Sequence, residues 1–331
     1  MRVDRRLALK LLAAPAISAS FPALPARAEQ YPAKPIRIIV PYPAGGPYDG
    51  VARIVAQWIG ARLGWSIVMD NRTGAVGTIG IMAARQAAAD GTTLVVVTSS
   101  THGSTPALKR SLPYDPVKDF VPIALMADAA LVLLVREDLP VHSVAELVQV
   151  LRDKPGQLNY STGGYGSQHH LATVTLFQRA GLPQNAAVHV PFAGLAPALM
   201  SLLAGNVQFM TSSTGAATQH IASGKLRPLA TTSLRRSARL PNVPTMAEVG
   251  YPDFQISAWC GLAAPTGTPD PVVTRWNDLT NEALRDPKAR EQVSALDYDI
   301  RGGTTREFAE FVGSEMRRYK KLAEDMGLSE D

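Results

Sequence analysis

Two short loops carry the residue types best able to do chemistry in this chain: Tyr42 to Asp49 and Thr162 to Ser167. Each is rich in glycine, follows a β-branched stretch and precedes a helical pattern. A loop of this kind presents unpaired backbone N–H groups at the positive end of a helix dipole, which is a site for an anionic oxygen. Glycine lets a ligand approach the backbone closely. Neither loop contains Lys or Arg, and there is no Gly-Lys-Ser/Thr ending of the kind a phosphate site uses. The charge to be held is therefore modest, a carboxylate rather than a phosphate, bound by backbone amides, hydroxyls and water. The candidate binding residues are Tyr42, Ala44, Gly45, Gly46, Tyr48 and Asp49 in the first loop, and Tyr165, Gly166 and Ser167 in the second, with His169 just inside the helix that follows. Asp49 is a good N-cap. Its carboxylate must then point into the helix start, or it repels the ligand.

Catalytic alternatives find little support. Gly163-Gly164-Tyr165-Gly166 is not a full G-x-G-x-x-G, and no acidic residue ends a second strand about 20 residues on. There is no G-x-S-x-G elbow. His169 and His170 are adjacent and diverge by about 100° on a helix, with no H-E-x-x-H, so no metal is expected. The single cysteine, Cys260, reads as a small buried residue beside Trp259. The expectation is a binding protein with no enzymatic activity and no cofactor.

The elements that must position these loops follow from pattern. Ile36–Val40, 66–69 and 93–97 read as strands separated by helices over 50–63 and 78–89, an order that calls for a parallel sheet with right-handed crossovers. A second α/β unit follows. Ile123–Met126, Leu131–Val135, Leu158–Ser161, Val188–Val190, Val207–Thr211 and Leu226–Thr231 are its strands. Ser143 caps a helix to Arg152, Ser167 caps one to Ala180, and a third helix runs from Ala196 to Ala204. After the strand Ile256–Ala264 come three helices, 270–284, 288–296 and a last one capped by Thr304 or Thr305. They have little sheet of their own and need the open face of the first unit. The expected organisation is a discontinuous domain 1 (29–125 plus 257–331), a domain 2 (126–256), and a ligand cleft between them at two crossing segments.

Residues 1–28 stand apart. Arg2, Arg5, Arg6 and Lys10 precede an apolar stretch, and Ala26-Arg27-Ala28 gives a small-x-small cleavage site, so this is read as an export signal placing the mature protein in the periplasm. Arg5-Arg6 fits a twin-arginine signal, with Sec export the alternative. The whole chain has a net charge of +5, and removing the five basic and one acidic residues of this segment leaves +1. No global field then argues for nucleic acid or an anionic membrane. No later stretch is long and apolar enough to span a bilayer, and a soluble monomer is expected.

The chain resembles the receptors of tripartite tricarboxylate transporters, the Bug substrate-binding proteins. Tyr31-Pro32-Ala33-Lys34-Pro35-Ile36-Arg37 resembles their mature start, and Pro41-Tyr42-Pro43-Ala44-Gly45-Gly46 with Asp49 their first ligand loop. Asn71-Arg72-Thr73-Gly74 through Gly80, Leu112-Pro113-Tyr114-Asp115-Pro116, Gly166-Ser167 with His170-Leu171, and Ala264-Pro265-Thr266-Gly267 follow in order. The resemblance implies a type II periplasmic-binding-protein fold, an organic-acid ligand held by the two glycine loops, and two transmembrane partner subunits. Pro47 and Tyr48 stand where the family has small or hydroxyl residues. Pro47 lacks a donor, and Tyr48 offers a ring to narrow the mouth or stack on a flat ligand. Phe192 replaces a tyrosine, and Gln208 replaces an acid that would face an ammonium group. Thr98, Ser99, Ser100, Ser212 and Ser213 remain as hydroxyl donors at strand ends, and Trp259 is placed beside them. The expected ligand is an amine-free acid, aromatic acids included. A receptor reporting to a membrane sensor kinase would use the same closed cleft, and an enzyme of another type is the remaining alternative.

Overall fold

The computed structural model describes residues 31–325 and Gly327, apart from Ala33, Arg110, Leu234, Ala238 and Gln255. The segment 1–28, read above as an export signal, lies outside the described residues. Within the unit Lys34–Asp331, the first strands are β1 (Ile36–Val40), β2 (Ile67–Asn71) and β3 (Thr93–Thr98), with α1 (Pro47–Leu63) and α2 (Thr78–Arg85) between them. β1 pairs with both others in parallel. Ile36, Ile38, Ile39 and Val40 are all buried, as a central parallel strand covered on both faces requires. α1 begins one turn earlier than the sequence suggests: its N-cap is Gly46, and Pro47 takes the first position, where a missing N–H is tolerated. Asp49 is therefore inside the first turn and not its cap. Gly64 ends the helix in the left-handed region, its N–H bonded to the Gly60 carbonyl.

β3 runs into a wide turn, Ser100–Ser104, closed by the Ser104 N–H on the Ser99 carbonyl at 2.9 Å, and then α3 (Thr105–Leu108). Neither was expected from the sequence. The two strands read at 123–126 and 131–135 are one strand, β4 (Phe120–Arg136). It changes partner midway. Phe120 to Ala130 pair with β9 (Ser257–Pro265), whereas Leu131 to Val135 pair with β7 (Phe209–Ser213). Irregularities in register near Pro122 and Leu125 let it bend.

The second half holds α4 (Val144–Asp153), β5 (Asn159–Thr162), α5 (Gln168–Arg179), β6 (Val188–Pro191), α6 (Leu195–Leu203), β7, α7 (Thr214–Ala222) and β8 (Leu226–Thr231). Ser143 and Ser167 cap α4 and α5 as the sequence indicates, accepting from the N–H groups of Glu146 and His170. The chain closes with β9, α8 (Asp270–Arg285), α9 (Pro287–Ala295), β10 (Asp299–Ile300) and α10 (Thr305–Asp325). Thr304 and Glu307 form a reciprocal capping box at the start of α10. α8 and α10 pack against β4. Among the described residues no helix is long and apolar enough to cross a membrane.

The strand order β2-β1-β3-β9-β4-β7-β5-β6 is two copies of one arrangement. Each has three parallel strands with the first in the middle, followed by an antiparallel strand: β9, from far along the chain, beside β3, and β4, from just before β5, beside β7. This is a two-domain periplasmic-binding-protein fold of type II. One core gathers Ile39, Val95, Trp259 and Phe308, the other Val132, Leu134, Leu199 and Met210. Ligands in open α/β sheets bind outside the carboxyl ends of the strands, and here those ends, after Val40, Thr98, Thr162 and Ser213, come from both lobes.

Candidate functional site

A cavity of about 420 Å³ lies at these strand ends, within the range that holds a small ligand. Its wall is built from four helix starts. Tyr42 to Tyr48 lead into α1, Ser167 to His169 begin α5, Gly194 to Pro197 begin α6, and Ser213 with Gly215 and Ala216 begin α7. Ser100 joins them from the turn after β3, and Val76, Ala258, Leu296 and Tyr298 complete the wall. The first residues of a helix have no intrahelical acceptor for their N–H groups. The sequence-predicted clamp of two helix ends is thus a convergence of four. Among the described residues that line the cavity, none is Asp, Glu, Lys or Arg.

Asp49, the predicted source of repulsion, is turned away and buried behind the first loop. Its carboxylate accepts from the Gly45 N–H (2.9 Å), from Arg53 Nε (2.7 Å) and from Asn71 Nδ2 (2.9 Å). Burial alone would raise its pKa; the Arg53, Asn71 and Gly45 hydrogen bonds outweigh it and hold the carboxyl below its usual range. One consequence is that Gly45 gives its N–H to Asp49 rather than to a ligand. Asn71 also donates to the Tyr42 carbonyl at 3.0 Å, so the loop is tied from two sides. Replacing Asp49 with alanine should loosen it, with ligand affinity falling by about tenfold or more and stability by about 2 kcal/mol, the scale of hydrogen bonds to a charged acceptor. Arg53 is 40% exposed at its side chain and stays solvated. Asp49→Asn, which keeps an acceptor oxygen, should lose less. Calorimetric titration and urea melts of both variants check this, and unchanged affinity in the alanine variant would rule the role out.

Of the other predicted residues, Tyr42, Ala44, Gly45, Gly46, Tyr48, Ser100, Ser167, His169 and Ser213 line the cavity. Thr98 and Ser99 stand one step behind, beside the tyrosine hydroxyls: Tyr42 to Thr98 Oγ1 at 3.0 Å and Tyr48 to Ser99 Oγ at 3.4 Å. Gly166 and Tyr165 support the second loop without lining the cavity. Gly166 donates its N–H to His170 Nδ1 at 3.2 Å, and the Tyr165 ring lies 4.6 Å from His170. His170 in turn stacks on His189 at 4.4 Å. The two adjacent histidines therefore part, His169 to the cavity wall and His170 into the second lobe.

Four expectations need correction. Ser212 is buried on β7 but does not line the cavity; strand alternation gives that face to Ser213. Trp259 likewise faces away while its neighbour Ala258 lines the wall. Its indole donates to Glu315 Oε2 at 2.9 Å and packs edge-on to Phe308 and Phe311. Phe192 packs against the second lobe's core. Gln208 accepts from the Asn159 N–H at 2.8 Å between strands, so its replacement of an acid says nothing about the ligand. Cys260 is buried, and burial raises its thiol pKa far from the reactive range. Residues missed include Val76, Gln168, Leu195, Pro197, Leu199, Gly215, Ala258, Leu296 and Tyr298. The last two follow α9, and nothing local marks them; only tertiary packing brings them in.

The lobes meet closely around the cavity. A Cβ at Gly164 would lie 3.2 Å from Val76, and one at Gly166 would lie 2.9 Å from Leu108. One at Gly215 would collide with the Leu296 carbonyl oxygen.

Residues 51–328 match the sequence profile of the Tripartite tricarboxylate transporter family receptor, TctC. Protein BugT of Bordetella pertussis is 36% identical over 306 residues, covering 92% of this chain and 93% of that protein. Among solved structures, R. palustris Rpa4515 with adipate is 31% identical with a TM-score of 0.85, covering 90% of this chain and 99% of that one. MatC from Rhodopseudomonas palustris with bound malate is 32% identical with a TM-score of 0.82, covering 88% and 99%.

Proposed function

This chain belongs to the tripartite tricarboxylate transporter receptor family, and from that premise we propose that it is an exported receptor for a small, amine-free organic acid. It is a solute-binding receptor, not an enzyme. In this reading the acid passes to two membrane-embedded subunits of a transporter, and the lobes hinge where β4 changes partner and where the chain returns before β9.

The observation that carries the ligand class is the wall itself: four helix starts and no charged side chain among its described residues. Helix starts favour an anion, and a single carboxylate needs no more than a few such N–H groups. An ammonium group has the opposite need. Buried without a carboxylate partner it would cost several kcal/mol, and the nearby Asp49 is already committed to Arg53, Asn71 and Gly45. The rest of the wall, with Leu195, Leu199, Leu296 and the rings of Tyr42, Tyr48 and Tyr298, suits an aliphatic or flat apolar body. Adipate and malate, held by the two similar structures, are likewise amine-free acids.

Native mass spectrometry of the purified protein, followed by a thermal-shift panel, tests this. The panel pairs each amino acid with its amine-free counterpart, aspartate with succinate and glutamate with glutarate, and adds benzoates. A ligand at about 100 times its Kd adds about 2.7 kcal/mol, which raises Tm by about 5 °C in a protein of this size. The expected result is a shift with amine-free acids alone. A shift with aspartate or glutamate but not with their counterparts, or a flat panel with no co-purified mass, would overturn the reading.

A further inference from the structure

Several side chains reach from the second lobe to the first, among them Arg239 to the Ser294 carbonyl at 2.6 Å and to Asp297 at 3.4 Å, but Gln168 does so in the cavity wall itself. Gln168 is the first residue of α5, behind its cap Ser167. Its Nε2 donates to the Tyr48 hydroxyl on α1 at 2.8 Å, and its Oε1 accepts from the Ser100 hydroxyl on the turn after β3. The Tyr48 oxygen also lies within 3.4 Å of Ser99 Oγ. Gln168, Tyr48, Ser99 and Ser100 are all buried. Both polar atoms of the amide are thus engaged by the opposite lobe, along a wall of the cavity that a ligand would share.

We infer that Gln168 is a positioning residue, a latch to Tyr48 and Ser100 that holds the lobes closed whichever acid lies between them. This rests on the receptor reading above. Hydrogen bonds made between the lobes exist only in the closed form, so they shift the closing equilibrium. The closing step multiplies the affinity of every ligand by the same factor, whereas a group that touches the ligand changes some affinities more than others. Tyr48 is suited to this role because its ring stays in the wall, 4.9 Å from the Tyr42 ring and 6.4 Å from the Tyr298 ring, while its hydroxyl alone reaches the amide.

The test compares Tyr48→Phe, Ser100→Ala and Gln168→Ala with the parent across the acids that bind in the panel. Tyr48→Phe keeps the ring and strands the amide donor, so every Kd should rise by a common factor of about ten, carried by faster dissociation with an unchanged association rate. In the Gln168→Ala background, Tyr48→Phe and Ser100→Ala should add nothing, because all three act through one bridge. Fluorophores placed on exposed positions of the two lobes should report a smaller closed fraction in ligand-free Gln168→Ala than in the parent. Losses that differ from acid to acid, additive losses in the double variants, or an unchanged closed fraction would overturn the latch. If the parent binds no acid at all, the receptor reading fails, and the closed fraction still decides on the latch. Thermal melts of the ligand-free variants verify that each is folded.

Discussion

Replacing Gly215 with alanine should weaken binding of any acid by roughly thirtyfold or more while leaving the ligand-free protein at least as stable. Gly215 is the second residue of α7, and its backbone is not among the left-handed glycines. Alanine is therefore free of strain there and is favoured in a helix by up to about 1 kcal/mol. The obstacle appears only between lobes, where the new methyl would meet the Leu296 carbonyl oxygen and lie 2.9 Å from the carbonyl carbon. Backbone cannot rotate aside as a flexible side chain can. Overpacking of this kind costs about 1–3 kcal/mol, and 2 kcal/mol is roughly thirtyfold in affinity. Valine should do more. Titration calorimetry with an acid that binds the parent, beside ligand-free melts, separates the two effects. Parent-like affinity in Gly215→Val would mean that ligand binding does not bring α7 against Leu296.

Acid should destabilise the protein steeply at pH values above those at which its carboxylates titrate in the unfolded chain. Burial depresses the pKa of His102 to about 3 and of His169 to about 4. It does the same for His170, to about 3, with His189 adding to the effect. An unfolded histidine titrates near 6.5. The folded pKa values lie below this, so the unfolded state binds more protons through that window. Stability is complete above about pH 6.5 and is lost as pH falls toward 4 and 3. At pH 5 the three buried rings, at about 2 kcal/mol each, together should have cost roughly 6 kcal/mol, against a typical total of about 5–15 kcal/mol. Asp128 and Asp297 act in the opposite direction, since burial raises their pKa values, but their window lies nearer the carboxylate range. Urea midpoints at pH 7.5, 6.5, 5.5 and 5 should fall steeply, and His102→Leu should make the fall shallower. A flat profile would contradict the buried, neutral state of these rings. His170 links the effect to binding. Its Nδ1 accepts the Gly166 N–H, which a protonated ring cannot do, so the second loop loosens as the ring charges.

The sequence reveals what local rules govern. Ser143, Ser167 and the Thr304–Glu307 pair announce helix starts because a cap is a contact within four residues. The two glycine loops stand out because no regular element accommodates their composition. Misreadings cluster where a neighbour overrides the local signal. Asp49 has the chemistry of a cap, but Pro47 fixes the helix start three residues earlier, with Gly46 as the cap. Asp128, Ala129 and Ala130 are poor strand formers, yet β9 pairs with all three and makes β4 continuous. α7, with Gly215 and three alanines beside polar residues, has little periodicity to read. The cavity wall shows the same division. The residues of the first glycine loop were legible, whereas those that lead into α6 were not. Gln168, Leu296 and Tyr298 depend on how the lobes meet, while Trp259 and Ser212 fail because one step along a strand turns a side chain to the opposite face.

The central claim is that backbone N–H groups at converging helix starts, and no charged side chain, hold the ligand's carboxylate. A crystal structure with the best acid of the panel tests it directly. Carboxylate oxygens should lie about 3 Å from N–H groups at the starts of α1, α5, α6 or α7, between closed lobes, with no Lys or Arg in contact. A carboxylate paired with an arginine or lysine, or an acid bound outside the cleft, would contradict it.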